Sequence, residues 1–161
     1  MDYHWRSLRF TVPVGFDDDT VVTFLRRRGD VVEVNITMTR EALDEPIESY
    51  LKTAVSQLGK QLSGYRLAER KDTTVDGAPA VVLEHRATAP DGQGLVMLQA
   101  YLPRSGEVHI VTATGRDAVS AQVHTAMSEL LASLRHGDGP ARAPTSPPST
   151  KPATKPSSPR R

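Results

Sequence analysis

Apolar and polar positions repeat along this chain with two different periods, and the switches between them mark the elements. Residues 3–12 read as an extended strand, ended by Pro13 and Gly15. Val21 to Arg27 reads as a second strand, and Gly29-Asp30 turns it into a third, Val31 to Thr39, a hairpin signature. In that third strand Val32, Val34, Ile36 and Met38 point to one face, and Glu33, Asn35, Thr37 and Thr39 to the other. The period then becomes helical. Pro46 stands at a helix start, where its missing N–H does no harm. Ile47, Leu51, Val55, Leu58 and Leu62 recur at helical spacing up to the stop at Gly64.

Alternation returns after the helix. Tyr65 to Val75, Ala78 to Ala87, Leu95 to Leu102 and Val108 to Thr114 read as four strands. Asp76-Gly77, Pro90-Asp91-Gly92 and Ser105-Gly106 turn them into a meander. Leu95 to Leu102 is apolar on both faces and should be a central strand. A last helix opens near Asp117 with a stripe of Val119, Val123, Met127, Leu130 and Leu134. The expected class is therefore α+β: a twisted antiparallel sheet, made of an N-terminal hairpin plus a meander, with two main helices. Residues 1–136 form the domain. Residues 137–161 hold seven of the 12 prolines with Ser, Thr and basic residues. Such a segment cannot bury apolar area and is expected to be disordered.

Charge sharpens this division. The chain of 161 residues is +1 overall, but positions 137–161 carry five basic residues against one acid, a net of +4 that leaves −3 on the domain. A slightly acidic domain argues against nucleic-acid binding. There are no cysteines, so disulfides, thiolate metal sites and thiol catalysis are excluded. The opening Met1-Asp2-Tyr3-His4-Trp5-Arg6 carries no apolar signal core. The longest nearly apolar run, Leu95 to Leu102, is far below the ~20 residues that span a bilayer. The expectation is a soluble, cytoplasmic protein.

Candidate chemistry is sparse. Gly59-Lys60 lacks the upstream Gly and the following Ser or Thr of a P-loop. Asp17-Asp18-Asp19 lacks the alternating ligands, the Gly and the closing Glu of a calcium loop, and reads as a solvated turn. His4, His85, His109, His124 and His136 show no pair at zinc spacing, so no metal is expected. Glu84 and His85 are strand neighbours facing opposite ways, which prevents an acid–base pair. No Ser or Thr sits in a nucleophile elbow. Arg26-Arg27-Arg28 reads as a solvated strand end rather than a phosphate patch. Neither an enzyme nor a cofactor is expected.

The order hairpin, helix, meander, helix resembles the DcrB-like domain, which has a PsbP-like fold. The echoes are Phe10 with Pro13, Gly15 and Phe16, then Tyr50-Leu51, then Asp76-Gly77-Ala78-Pro79-Ala80. They continue with Leu98-Gln99-Ala100-Tyr101 and end with Leu131 and Ser133-Leu134-Arg135. Within that family the chain is similar to a cytoplasmic branch, the Eag chaperones of type VI secretion, in Met1-Asp2-Tyr3, in Lys60 through Tyr65, and in Gln99 before Tyr101. The resemblance implies a homodimer whose concave sheets hold the N-terminal transmembrane helices of a secreted effector, of the Rhs/PAAR type, before export. It implies no stable membrane insertion and no nucleic acid.

Carried over residue by residue, the client groove comprises Leu58 and Leu62 on the helix and Leu95, Met97, Gln99 and Tyr101 on the central strand. It adds Ile110 on the next strand and Asn35, Thr37 and Thr39 on the hairpin. The branch also places a Gln on the helix where this chain has Ala54; Gln57 or Gln61 would have to replace it. Each position has a plainer reading. Leu58, Leu62, Leu95 and Ile110 serve equally as core, Asn35, Thr37 and Thr39 as solvated surface, and Gln99 as a satisfied buried amide. A non-enzymatic PsbP/DcrB-like interaction domain of some other complex is the alternative function.

Overall fold

The structure, a computed structural model, describes residues 2–5, 8–11 and 21–135. Two short strands, β1 (Asp2–Trp5) and β2 (Leu8–Thr11), pair antiparallel with Trp5 opposite Leu8. The single strand expected over residues 3–12 is thus two. The signal was a slip in the alternation: Tyr3 and Trp5 fall on odd positions, Leu8 and Phe10 on even ones. A period-2 pattern cannot change phase without a break in the strand. The expected turn at Pro13 to Gly15, the Asp17-Asp18-Asp19 stretch and the tail from Gly137 lie outside the described residues.

The main sheet has six antiparallel strands: β3 (Val22–Arg28), β4 (Val31–Ala42), β5 (Arg66–Val75), β6 (Ala78–Thr88), β7 (Gly94–Arg104) and β8 (Glu107–Arg116). Their order is β3-β4-β8-β7-β6-β5. The meander and the hairpin are as the alternation predicts. Two of the tight turns carry consecutive positive φ values, Asp76 (49°) with Gly77 (76°) and Ser105 (46°) with Gly106 (80°). That is the type I′ geometry whose twist matches antiparallel strands, and it explains the glycine at each second position.

Helix α1 (Ile47–Gln61) joins β4 to β5. Pro46 is its N-cap residue, and its carbonyl accepts from the Ser49 and Tyr50 amides. A single 3-10 turn, Asp117–Val119, leads into α2 (Ser120–Ser133). Val119, expected on the helix stripe, therefore sits on this turn.

The two helices lie on opposite faces of the sheet. One face carries Val34, Ala80, Val96, Leu98, Ala100, Val111 and Ala113, packed with Val123 and Met127 of α2. Gly115 permits this approach: a Cβ there would meet Val123 at 2.7 Å and the Glu33 carbonyl oxygen at 2.9 Å. The other face carries Val81, Leu83, Tyr101, Val108 and Ile110, packed with Leu51 of α1. Strand β7 is interior, as its nearly apolar run implies; its α2 face is buried, whereas on the α1 face Tyr101 is buried and Leu95, Met97 and Gln99 are half-buried. Among the described residues no helix is long and apolar enough to cross a membrane.

Candidate functional site: a cleft beside the first helix

The register of the sheet lays the α1 face out in transverse rows. Thr39, Ile110, Tyr101 and Val81 are neighbours across β4, β8, β7 and β6. The next row is Thr37, Thr112, Gln99 and Leu83, and the next is Asn35, Thr114, Met97 and His85. Leu95 stands one row further, opposite Arg116. Eight of the ten residues expected to form a groove thus share one face, because β4 pairs with β8.

Helix α1 covers only part of this face. Its Leu51 anchors among Val81, Leu83, Tyr101, Val108 and Ile110, over β6, β7 and β8. Six strands spaced ~4.8 Å apart span roughly 24 Å, whereas a helix is about 10 Å wide. Asn35, Thr37, Thr39, Thr112, Thr114, Met97 and Gln99 consequently remain half-buried beside α1. Between helix and sheet runs a cleft of about 320 Å³. Gln99, Tyr101 and Ile110 form its floor, Thr53, Ala54, Gln57, Leu58 and Gln61 its helical wall, and Glu41, Glu45 and Tyr50 one end. Both Gln57 and Gln61 therefore face the cleft that Ala54 lines without an amide. Leu62 caps the C-terminus of α1, half-buried; it and Leu95 do not line the cleft, and Asn35, Thr37, Thr39 and Met97 lie on the same sheet face outside it.

The polar groups of the floor are linked. The Tyr101 hydroxyl, on a side chain only 1% exposed, donates to Gln99 Oε1 at 2.7 Å. Gln99 Nε2 donates to Thr112 Oγ1 at 3.2 Å. Gln99 is thus half-exposed and also bonded within its own fold. A carboxamide has two N–H donors and two acceptor lone pairs, more than these two bonds use, and the Gln99 amide also acts on His85. The Tyr50 and Tyr101 rings meet edge to face at 6.1 Å, and the Tyr50 hydroxyl donates to Glu41 Oε2. Burial raises the pKa of both phenols well above the ordinary value, and the Glu41 carboxylate adds to this. They stay protonated donors.

His85 closes the far side of the network. It is 1% exposed, stacks on Tyr65 at 5.7 Å, and its Nδ1 shares a 2.9 Å hydrogen bond with the Tyr65 hydroxyl. Burial pushes its pKa down to about 4, against the opposing pull of the Gln99 amide and the Glu84 charge, so the ring is neutral near pH 7. Glu84 faces the other way. It binds Arg86 at 2.7 Å and His124 at 3.1 Å on the α2 face, which separates it from His85 as strand alternation requires. Arg28 and Arg26, on exposed side chains at the strand end, reach Glu33 at 2.8 and 3.7 Å. Among the described residues no group of three or more His, Asp or Glu is placed to hold a metal ion.

Sequence reasoning missed Thr53, Thr112, Tyr50, Glu41 and Glu45. Thr112 was visible in the alternation Val111-Thr112-Ala113-Thr114, which repeats the polar face of β4. The glutamates had no periodic signal, because they belong to the β4–α1 corner.

The fold and the cleft define a class: an open antiparallel sheet with one helix on each face and a half-covered face beside the first. This chain belongs to the DcrB family, whose model it matches over residues 8–133. It is 27% identical over 115 residues to Effector EagT6 of Pseudomonas aeruginosa, covering 70% of this chain and 79% of that protein. Among solved structures it is similar to PA94 from Pseudomonas aeruginosa, a protein of unknown function, with a TM-score of 0.72 and 24% identity over 86% of this chain and 98% of that one. That likeness establishes the fold. Cyanobacterial PsbP from Synechocystis sp. PCC 6803 is similar at a TM-score of 0.44 and 12% identity, over 78% of this chain and 83% of that one, too distant to carry an argument.

Proposed function

We propose that this protein is a cytoplasmic, non-enzymatic chaperone that holds N-terminal transmembrane helices of a type VI secretion effector, of the Rhs/PAAR type, before export. Membership of the DcrB family and the similarity to Effector EagT6 support the setting. The observation that carries the reading is the uncovered strip of the α1 face. Its width accommodates one more helix alongside α1, over β8 and β4. Its floor mixes apolar side chains with Gln99, Thr37, Thr39, Asn35 and Thr112. An apolar helix made in water must be shielded from aggregation. Its Ser, Thr and Gly positions and exposed carbonyls also seek hydrogen-bond partners. A cleft lined by Leu58 and Ile110 beside amides and hydroxyls meets both needs, and Gln57 and Gln61 supply amides from the helix wall.

The protein acts in this reading as a homodimer, with two such strips available to a helical hairpin. Light scattering at micromolar concentration should report twice the 17.5 kDa chain mass. The functional test is co-expression with the N-terminal fragment of a type VI effector that contains its transmembrane segments. The fragment should stay soluble and co-purify with the chain. A fragment that aggregates equally with and without this protein would refute the role.

A further inference from the structure

The cleft is electrostatically one-sided. Glu41 and Glu45 stand at the end where β4 turns into α1, and the rest of the lining is uncharged. The chain between Glu41 and Glu48 carries four acids and no base. Nearby cations are engaged or turned away. Arg70 is held by Glu48 at 2.7 Å and by Asp72 at 2.9 Å. Lys52 and Lys60 line a separate hollow on the outer side of α1. Arg40 alternates to the opposite face of β4 and reaches Glu107 at 3.8 Å. The Tyr50 hydroxyl bonds one oxygen of Glu41, which fixes the direction of that carboxylate at the cleft mouth.

Helix α1 runs from this acidic end, at Tyr50, to Leu58 and Gln61 beside Gln99. A helix lying in the cleft alongside α1 therefore has one end at the glutamates. Glu41 lies four residues along β4 from Thr37, the partner row of Gln99, or about 13 Å at strand rise. Helices that cross membranes are flanked by Lys and Arg, more at one end than the other. We propose that Glu41 and Glu45 receive the basic flank of the held apolar helix, so that the cleft binds it in one direction. This rests on the chaperone reading above and adds polarity to it.

The test uses the full chain and synthetic peptides with one common core, 20 residues of Leu and Ala with a central Ser. One peptide ends in a Lys pair, the second in a Gln pair, the third in a Glu pair. Dissociation constants are measured in low and high salt for the natural protein and for a Glu41→Gln/Glu45→Gln variant. Glutamine keeps an acceptor for the Tyr50 hydroxyl. The Lys peptide should bind the natural protein roughly three- to tenfold more tightly than the Gln peptide, the scale of two exposed ion pairs. The Glu peptide should bind most weakly. The Lys-to-Gln ratio should fall to near one in the variant and in high salt. Equal binding of the Lys and Gln peptides to the natural protein, or a ratio that survives in the variant, overturns the polarity and leaves the chaperone reading standing. Failure of all three peptides to bind, including their exclusion by a second copy seated in the cleft, overturns both.

Discussion

Replacing Gln99 with Leu isolates the amide network on the cleft floor. The side chain bonds two partners of unequal burial. Tyr101 is 1% exposed, so its hydroxyl loses its acceptor with no water to replace it. Such a stranded group costs about 1–3 kcal/mol. Thr112 is half-exposed, and its hydroxyl can rotate toward solvent at little cost. The gain from an apolar side chain at a half-buried position offsets part of the loss. Gln99→Leu should therefore destabilise the free protein by about 1–2 kcal/mol, roughly 3–8 °C in melting temperature for a domain of this size. Tyr101→Phe removes the other partner. The double variant should recover most of the loss, because removing both members of a buried hydrogen bond is nearly neutral. A double-mutant cycle by urea unfolding should give a coupling of about 1 kcal/mol. Free protein unaffected by Gln99→Leu, together with zero coupling to Tyr101→Phe, would refute the view that this amide is clamped by its own fold.

Three further outcomes follow from separate parts of the molecule. Gly115→Ala should cost about 1–3 kcal/mol in chemical unfolding, since the Glu33 carbonyl oxygen at 2.9 Å is backbone and cannot rotate away; an unchanged midpoint would contradict the close approach of α2. His85 binds its proton less readily folded, with a pKa of about 4, than unfolded, near 6.5. Its contribution is therefore complete above pH 6.5 and is lost as pH falls toward 4, by about 3 kcal/mol in total, and His85→Phe should flatten that limb of a stability–pH curve. Deleting residues 138–161, a stretch without an apolar stripe, should leave the melting temperature unchanged, and a fall of several degrees would mean that the tail docks on the domain.

Local patterning carried most of the elements. The polar face of Asn35, Thr37 and Thr39, the helical line ending at Leu58 and Leu62, and the Gln99-x-Tyr101 pair all follow from period and composition. The division into β1 and β2 was also present as a phase slip, but it is a one-residue signal inside a short run. What periodicity does not encode is which distant strands pair. The partnership of β4 with β8 joins positions some 75 residues apart, as Thr37 does Thr112. Only that pairing sets Thr37 and Thr112 in one row with Gln99. The same limit hid the acidic end. Glu41 and Glu45 become part of the cleft because α1 folds back along the sheet, bringing Tyr50 over Tyr101. Whether Gln57 or Gln61 takes the place of the amide missing at Ala54 had no answer in spacing alone. The helix presents both to the cleft.

The claim that the strip beside α1 holds an apolar helix is tested most directly by labelling. The chain has no cysteine, so single sites can be introduced without background. Thr37→Cys places a probe on the strip, and Ser128→Cys places one at an exposed position of α2, on the opposite face of the sheet. Each variant carries an environment-sensitive fluorophore and is titrated with an effector fragment containing its transmembrane segments. A blue shift at position 37 with none at position 128 is the expected result. A shift at 128 alone, or equal shifts at both, would contradict the assignment of the cleft.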